Sequence, residues 1–260
     1  MLKVYEHPLS PYAQKVKIAL YEKGIPFEAV TPNIFQPQGE QEFLGSSPRL
    51  EVPSLIDGDV RIFDSTIILE YIEDKWPAKP MLPASPVDRA RVRMLEEMCD
   101  TYVEAVSWAI AEIRVFGRAR DAFADQLLGR AAQQIAGVYK WLERQLGDRP
   151  FFNGAEFGWG DLSVWPYVGG YTGMGHPAPA GSRVAAWFEK ASQRDSTRRC
   201  AEASMQAMGG FQDLGGILES GLFKREYRDH RLEWMVRSGG AQIVIDGIGK
   251  GNIRFAVELE

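Results

Sequence analysis

The chain has 260 residues, 45% hydrophobic and 25% charged, enough for two modest domains with real cores and too apolar for a disordered polymer. A formal net charge of -5, a pI near 5.4 and no Lys/Arg cluster interleaved with aromatics argue against a nucleic-acid partner. The opening residues, MLKVYEHPLS, lack the cationic start and apolar core of a signal peptide. No apolar run reaches the roughly 18 residues that a membrane span requires. Cys99 and Cys200 form neither a C-x-x-C pair nor a disulfide framework and read as buried free thiols, so the expected setting is the reducing cytosol.

Leu2 to Tyr5 is a short β-type run leading to HPLSPYAQKV. There Ser10 precedes Pro11, the pairing of an N-cap with a first helical residue whose missing N–H is an orphan anyway. A second reading of the same serine is chemical: a helix N-terminus carries partial positive charge and free N–H donors, so a hydroxyl there can help hold a thiolate. The helix is expected to run from Pro11 to Lys23, with Gly24 as its stop. PFEAV (Pro26 to Val30) reads as a second strand, QPQGEQEFLGSS as holding a short or irregular helix, and PSLIDGDVRIF (Pro53 to Phe63) as a hairpin about Asp57-Gly58-Asp59. Asp64 and Ser65 open another helix, on which Ile68, Tyr71 and Ile72 share a face.

Four prolines within WPAKPMLPASP mark a linker at residues 77–86, which separates a first domain, 1–76, from a second, 87–209. Val92, Leu95, Cys99, Tyr102, Val106, Ala109 and Ile113 alternate steps of three and four, predicting one long amphipathic helix. Further helical patterns run from about Ala122 to Leu146, from Asp161 to about Tyr167 and from Ser182 to Gln193, so the second domain reads as all-helical. Residues 210–260 form an extension with weak patterning, readable as two short helices or a strand pair; Phe223, Trp234 and Met235 favour its docking somewhere. His7, His176 and His230 are far apart and have no ligand spacing, so no metal site is expected. Trp108, Phe116, Trp159, Trp165 and Tyr167 suit either helical-core packing or an aromatic acceptor pocket, and Tyr12 is a pocket candidate by its position beside Ser10.

Four stretches, in this order and spacing, resemble the glutathione transferase superfamily: SPYAQKVKIALYEKGIPFE from Ser10, SPRLEVPSLIDGD from Ser47, DSTIILEYIED from Asp64 and FFNGAEFGWGDLSVWPY from Phe151. The resemblance implies an α/β thioredoxin-like N-terminal domain with an all-α helical-bundle C-terminal domain, glutathione as co-substrate, a small hydrophobic or aromatic electrophile as its partner in reaction, and a homodimer. Ser10 falls where the family places its catalytic Ser or Cys. A thiol of pKa about 8.5 is mostly protonated at neutral pH; a hydroxyl hydrogen bond and the helix start favour the thiolate and lower that value by a unit or more. A serine there argues for conjugation or thiolate-assisted cleavage over disulfide exchange.

Val52-Pro53 corresponds to the family's cis-proline turn, which offers the Val52 backbone to an extended peptide; the plain alternative is a trans proline opening a strand. Asp64 would take the ligand's ammonium, while Ser65 would cap the helix and meet a carboxylate; the plain alternative is an ordinary helix start. Asp161 is read as structural, with only part of a capping box because Gly158 stands where the family has Ser or Thr. Where many members carry Lys before the Val-Pro turn, to meet the glycyl carboxylate, this chain has Glu51, and Arg49 is the available substitute. The same thiolate would serve a glutathione-dependent β-etherase or dehalogenase, and a binding or scaffolding module without turnover is the alternative outside enzymes.

Overall fold

In the computed structural model, residues 1–33, 41–209, 232, 235–236 and 239–251 are described. The N-terminal part runs β1 (Leu2–Tyr5), α1 (Pro11–Lys23), β2 (Phe27–Val30), α2 (Gln41–Ser46), β3 (Ser54–Asp57), β4 (Val60–Phe63) and α3 (Ser65–Lys75). The sheet order is β2-β1-β3-β4, with β1 and β2 parallel and the other pairs antiparallel. This is the thioredoxin-like arrangement.

Strand alternation sorts the core. Leu2, Val4 and Leu55 join the large core that α1 and α3 complete with Val16, Leu20, Ile68 and Ile72. Tyr5 and Ile56 face the other way, against Phe43 of α2. Gly24 ends α1 at φ 71°, a left-handed cap closed by bonds from its N–H to Leu20 and Tyr21, as its type predicts.

The helical part comprises α4 (Pro86–Met98), α5 (Glu104–Arg114), α6 (Asp121–Leu146), α7 (Trp159–Gly173), α8 (Arg183–Ser192) and α9 (Asp195–Gly209); α10 (Ala241–Gly249) lies in the extension. Of the residues expected to dock the extension, Met235 is half-buried, and Phe223 and Trp234 fall outside the described residues. The long helix expected after the proline-rich stretch is interrupted by a π-helical turn over Cys99–Val103. That wider turn moves the next core position on by one residue. Val92, Leu95, Cys99, Val103, Val106 and Ile110 are buried, whereas the expected Tyr102 and Ile113 are half-buried and Ala109 is exposed.

α7 starts at a place where only glycine fits. A Cβ on Gly158 would lie 2.2 Å from the Asn153 amide nitrogen and 2.4 Å from the Met81 carbonyl oxygen. The acceptor that a Ser or Thr cap would have supplied comes from elsewhere: Asn153 Oδ1 accepts from the Gly160 N–H at 3.4 Å. Asp161, fully buried, accepts from the amides of Phe152, Asn153 and Gly158 and from the Trp187 indole, at 2.8, 3.2, 3.0 and 2.7 Å. Burial outweighs those bonds and pushes its carboxyl up to about 6.

Candidate active site

The start of α1 shows Ser10 as the helix N-cap. Ser10 is in extended conformation (φ -78°, ψ 116°), its Oγ accepts from the Ala13 N–H at 3.3 Å, and Pro11 follows as the first helical residue. A hydroxyl has one donor and two acceptor lone pairs. Capping consumes an acceptor and leaves the O–H to donate, so a cap and a thiolate donor are compatible in a single half-buried side chain. His7 buttresses the turn: its carbonyl accepts the Ser10 N–H at 2.8 Å and its Nδ1 the Leu9 N–H at 3.2 Å. Burial, then the nearby Lys17, hold its imidazole below the ordinary range, and hence neutral at pH 7.

The second element is the loop before β3. The Val52–Pro53 peptide is cis. Leu50 sits at φ 57°, a region that costs a non-glycine residue about 1–3 kcal/mol and needs support from its surroundings. Ser47 supplies it: its Oγ donates to the Glu51 carbonyl at 2.8 Å and accepts the Glu51 N–H at 3.0 Å, and its carbonyl accepts the Leu50 N–H at 2.9 Å.

The third element is the start of α3, where one expectation is corrected. Asp64, not Ser65, is the N-cap: its Oδ1 accepts from Thr66 and Ile67 at 3.0 and 3.3 Å. Aspartate out-competes serine because its side chain reaches back to two amides, at a positive φ of 75°. Ser65 is the first helical residue and is buried. Arg49 joins this group. Its Nε lies 3.1 Å from Glu51, its Nη2 3.7 Å from Asp64, and its guanidinium covers Phe63 at 5.3 Å. Arg49, Glu51 and Asp64 are thus one ion-pair group, and Arg49 is already engaged by two carboxylates.

Beneath these elements lies a cluster that sequence reasoning missed. Lys15, one turn beyond the Ser10 cap, is fully buried with its Nζ 2.5 Å from Glu96 Oε1 and against Asp100. Glu96 also accepts from Thr66 Oγ1 at 2.9 Å and from the Trp159 indole at 2.5 Å. Asp100, on the π-helical turn, accepts from the Tyr167 hydroxyl at 3.0 Å and, through its carbonyl, from Tyr12 at 2.7 Å. Desolvation works against the ammonium, but Asp100 and Glu96 outweigh it and raise its pKa. Trp159, Trp165 and Tyr167 are core residues, whereas Trp108 and Phe116 are half-buried.

Both cysteines are free and buried; burial pushes the Cys200 thiol up to about 12 and that of Cys99 well above its ordinary range. Among the described residues no group of His, Cys, Asp and Glu could hold a metal ion, and no helix is long and apolar enough to cross a membrane.

Comparison with known proteins agrees with this geometry. Residues 4–80 match the glutathione S-transferase N-terminal domain and residues 118–190 the C-terminal domain. The chain is 31% identical over 162 residues to a glutathione S-transferase of Pseudomonas putida, covering 62% of this chain and 71% of that one. It is 33% identical over 95 residues to a stringent starvation protein A homolog of Coxiella burnetii, covering 36% of this chain and 44% of that one. The crystal structure of glutathione transferase F2 from Populus trichocarpa superposes with a TM-score of 0.69 at 23% identity, over 79% of this chain and 100% of that one. With a thioredoxin-like sheet, a helical second part and both family domains matched along its length, the chain belongs to the glutathione S-transferase family.

Proposed function

We propose that this chain binds glutathione, holds its sulfur as a thiolate at Ser10 and adds it to a small apolar or aromatic electrophile. The observation that carries the reading is the Ser10 hydroxyl at the start of α1, its acceptor side used by Ala13 and its O–H left to donate. The Ser10 O–H would donate to the sulfur while the first amides of α1 favour its charge. The Val52 backbone, beside cis Pro53, would pair with the cysteinyl unit. Asp64 would take the γ-glutamyl ammonium, with the Ser65 N–H and the α3 N-terminus taking the neighbouring carboxylate, and Arg49 would stand in for the family's lysine at the glycyl carboxylate. The protein's own thiols are too buried to serve as nucleophile, so the attacking sulfur belongs to the ligand.

In this reading residues 1–76 are the glutathione-binding domain, 77–86 a linker, 87–209 the domain that shapes the acceptor pocket and 210–260 an extension, and the protein works in the cytosol as a homodimer. Ile67 on α3 and Met94 on α4, 58% and 64% exposed on helices joined by the Arg93–Glu70 ion pair, offer an apolar face for such pairing. Light scattering of the purified chain tests it.

The chemistry is tested by titrating the ultraviolet absorbance of bound glutathione thiolate in wild type and Ser10→Ala, alongside turnover of a chromogenic aromatic halide. Wild type should hold the thiol pKa at least about one unit below the free value; equal values in the two proteins would refute the role of Ser10. Ether cleavage or dehalogenation would run on the same thiolate and is identified by its products. A scaffolding module is the second reading, favoured by the carboxylate of Glu51 beside the Val-Pro turn; no glutathione binding and no turnover of any of these electrophile classes would select it.

A further inference from the structure

We propose that Ser204 on α9 is a positioning residue for Ser10, holding the turn before α1 in the place from which the Ser10 O–H reaches the ligand sulfur. The inference rests on the glutathione-site reading above and adds to that site a residue from the helical part. The turn from His7 to Ser10 has little local support. Pro8 has no N–H to donate and Leu9 is exposed, while Ser10 and Leu9 both donate to His7. Pro11 keeps Ser10 extended, so the place of its Oγ depends on where the Pro8-Leu9 segment lies against α1.

That segment is pinned at one atom. The Pro8 carbonyl accepts from Gln14 Nε2 at 2.7 Å and from Ser204 Oγ at 2.8 Å, and Gln14 Nε2 gives its second proton to Ser204 Oγ at 3.0 Å. The three groups close a triangle that uses both amide protons of Gln14 and lets the serine hydroxyl accept and donate at once. The Ser204 proton has a competing acceptor in the Cys200 carbonyl of its own helix, at 2.9 Å, and the Pro8 carbonyl is the closer of the two. Gln14 is only 8% exposed, so water does not readily replace bonds lost here. α9 is also tied to α1 at Glu22, which accepts from Arg194 at 2.8 and 2.6 Å and from the Ser196 hydroxyl. Ser196 lies two turns from Ser204, about 12 Å along the helix, so the two fastenings can be cut separately. The Ser204 end is the one that reaches the turn.

The test compares wild type, Ser204→Ala and Ser196→Ala by ultraviolet titration of bound glutathione thiolate, with circular dichroism reporting that each variant is folded. Ser204→Ala should raise the thiol pKa by about 0.5 unit and, at pH values below it, lower kcat for the chromogenic halide about threefold with KM for glutathione nearly unchanged. Ser196→Ala loosens the far end of α9 and should titrate as wild type does. A thiol pKa in Ser204→Ala equal to that of wild type overturns the inference while leaving the glutathione reading standing. An equal rise in Ser196→Ala overturns it too, because the effect would then belong to α9 docking as a whole. A wild-type thiol that titrates like free glutathione overturns both the inference and the reading it rests on.

Discussion

Lys15 and Glu96 form an ion pair between α1 and α4 with both side chains essentially out of solvent, Nζ to Oε1 at 2.5 Å. Removing one partner strands a buried charge, which costs about 3–5 kcal/mol, whereas removing charge from both sides costs less. Lys15→Met should therefore lower unfolding stability in urea by about that amount, and Lys15→Met with Glu96→Gln should recover part of it. A single variant as stable as wild type would show that the pair contributes nothing.

Ser10 can be separated into its two roles. Ser10→Ala removes the cap acceptor and should cost about 1 kcal/mol in a thermal melt. Ser10→Asp keeps an acceptor for Ala13 but has no O–H at neutral pH, so stability should stay within about 0.5 kcal/mol of wild type. The same variant should raise the pKa of bound glutathione, because a carboxylate repels a thiolate.

Restoring the residue type that the family uses at position 158 should harm the fold. Gly158→Ser and Gly158→Ala both place a Cβ on Asn153 and on the Met81 backbone, and each should destabilise by about 2–4 kcal/mol in a denaturant titration. The serine variant gains no cap, because Asn153 occupies the space its hydroxyl needs.

Asp161 gives a pH signature of unusual sign. Its folded pKa of about 6 lies above the ordinary 3.8, so the folded state binds the proton more tightly than the unfolded state. That contribution is complete below the unfolded value and is lost as pH rises through about 6. Asp161→Asn, which cannot accept from all four donors, should cost about 2–4 kcal/mol near neutral pH. The gap to wild type should widen by about 1.4 kcal/mol at about pH 5, measured as urea unfolding at both pH values.

The strands and first helix were legible because their signals are local: the short β-type run of β1, the hairpin about the Asp-Gly-Asp turn, and the Ser-Pro start and glycine stop of α1. The helix starts at Ser10 and at Asp64-Ser65 follow from the same kind of signal, whereas the cis turn at Val52–Pro53 was read only through the family resemblance. What escaped was non-local. The shift of core positions after Cys99 needs a π-helical turn, which no hydrophobic period announces. α9 was not separately legible because its buried residues are Ser196, Thr197 and Cys200, small and mostly polar, which leave no apolar stripe.

Lys15 reads in isolation as a solvated helix lysine; only the packing of α4 and α7 on α1 makes it interior. A signal was present nonetheless, since Ala13, Val16, Ile18, Ala19 and Leu20 leave α1 with little polar face. Likewise, the Arg49 group is formed by residues on two separate loops, and its pairing is a property of the fold.

The Lys15 cluster also bears on modularity. Its cation is encoded in the first quarter of the chain and its carboxylates after the proline-rich stretch. Exchanging the front half for that of a relative with an uncharged residue at this place would leave Glu96 and Asp100 stranded in the interior. Recombination at that seam should therefore destabilise the product unless Lys15 and its two carboxylates travel together.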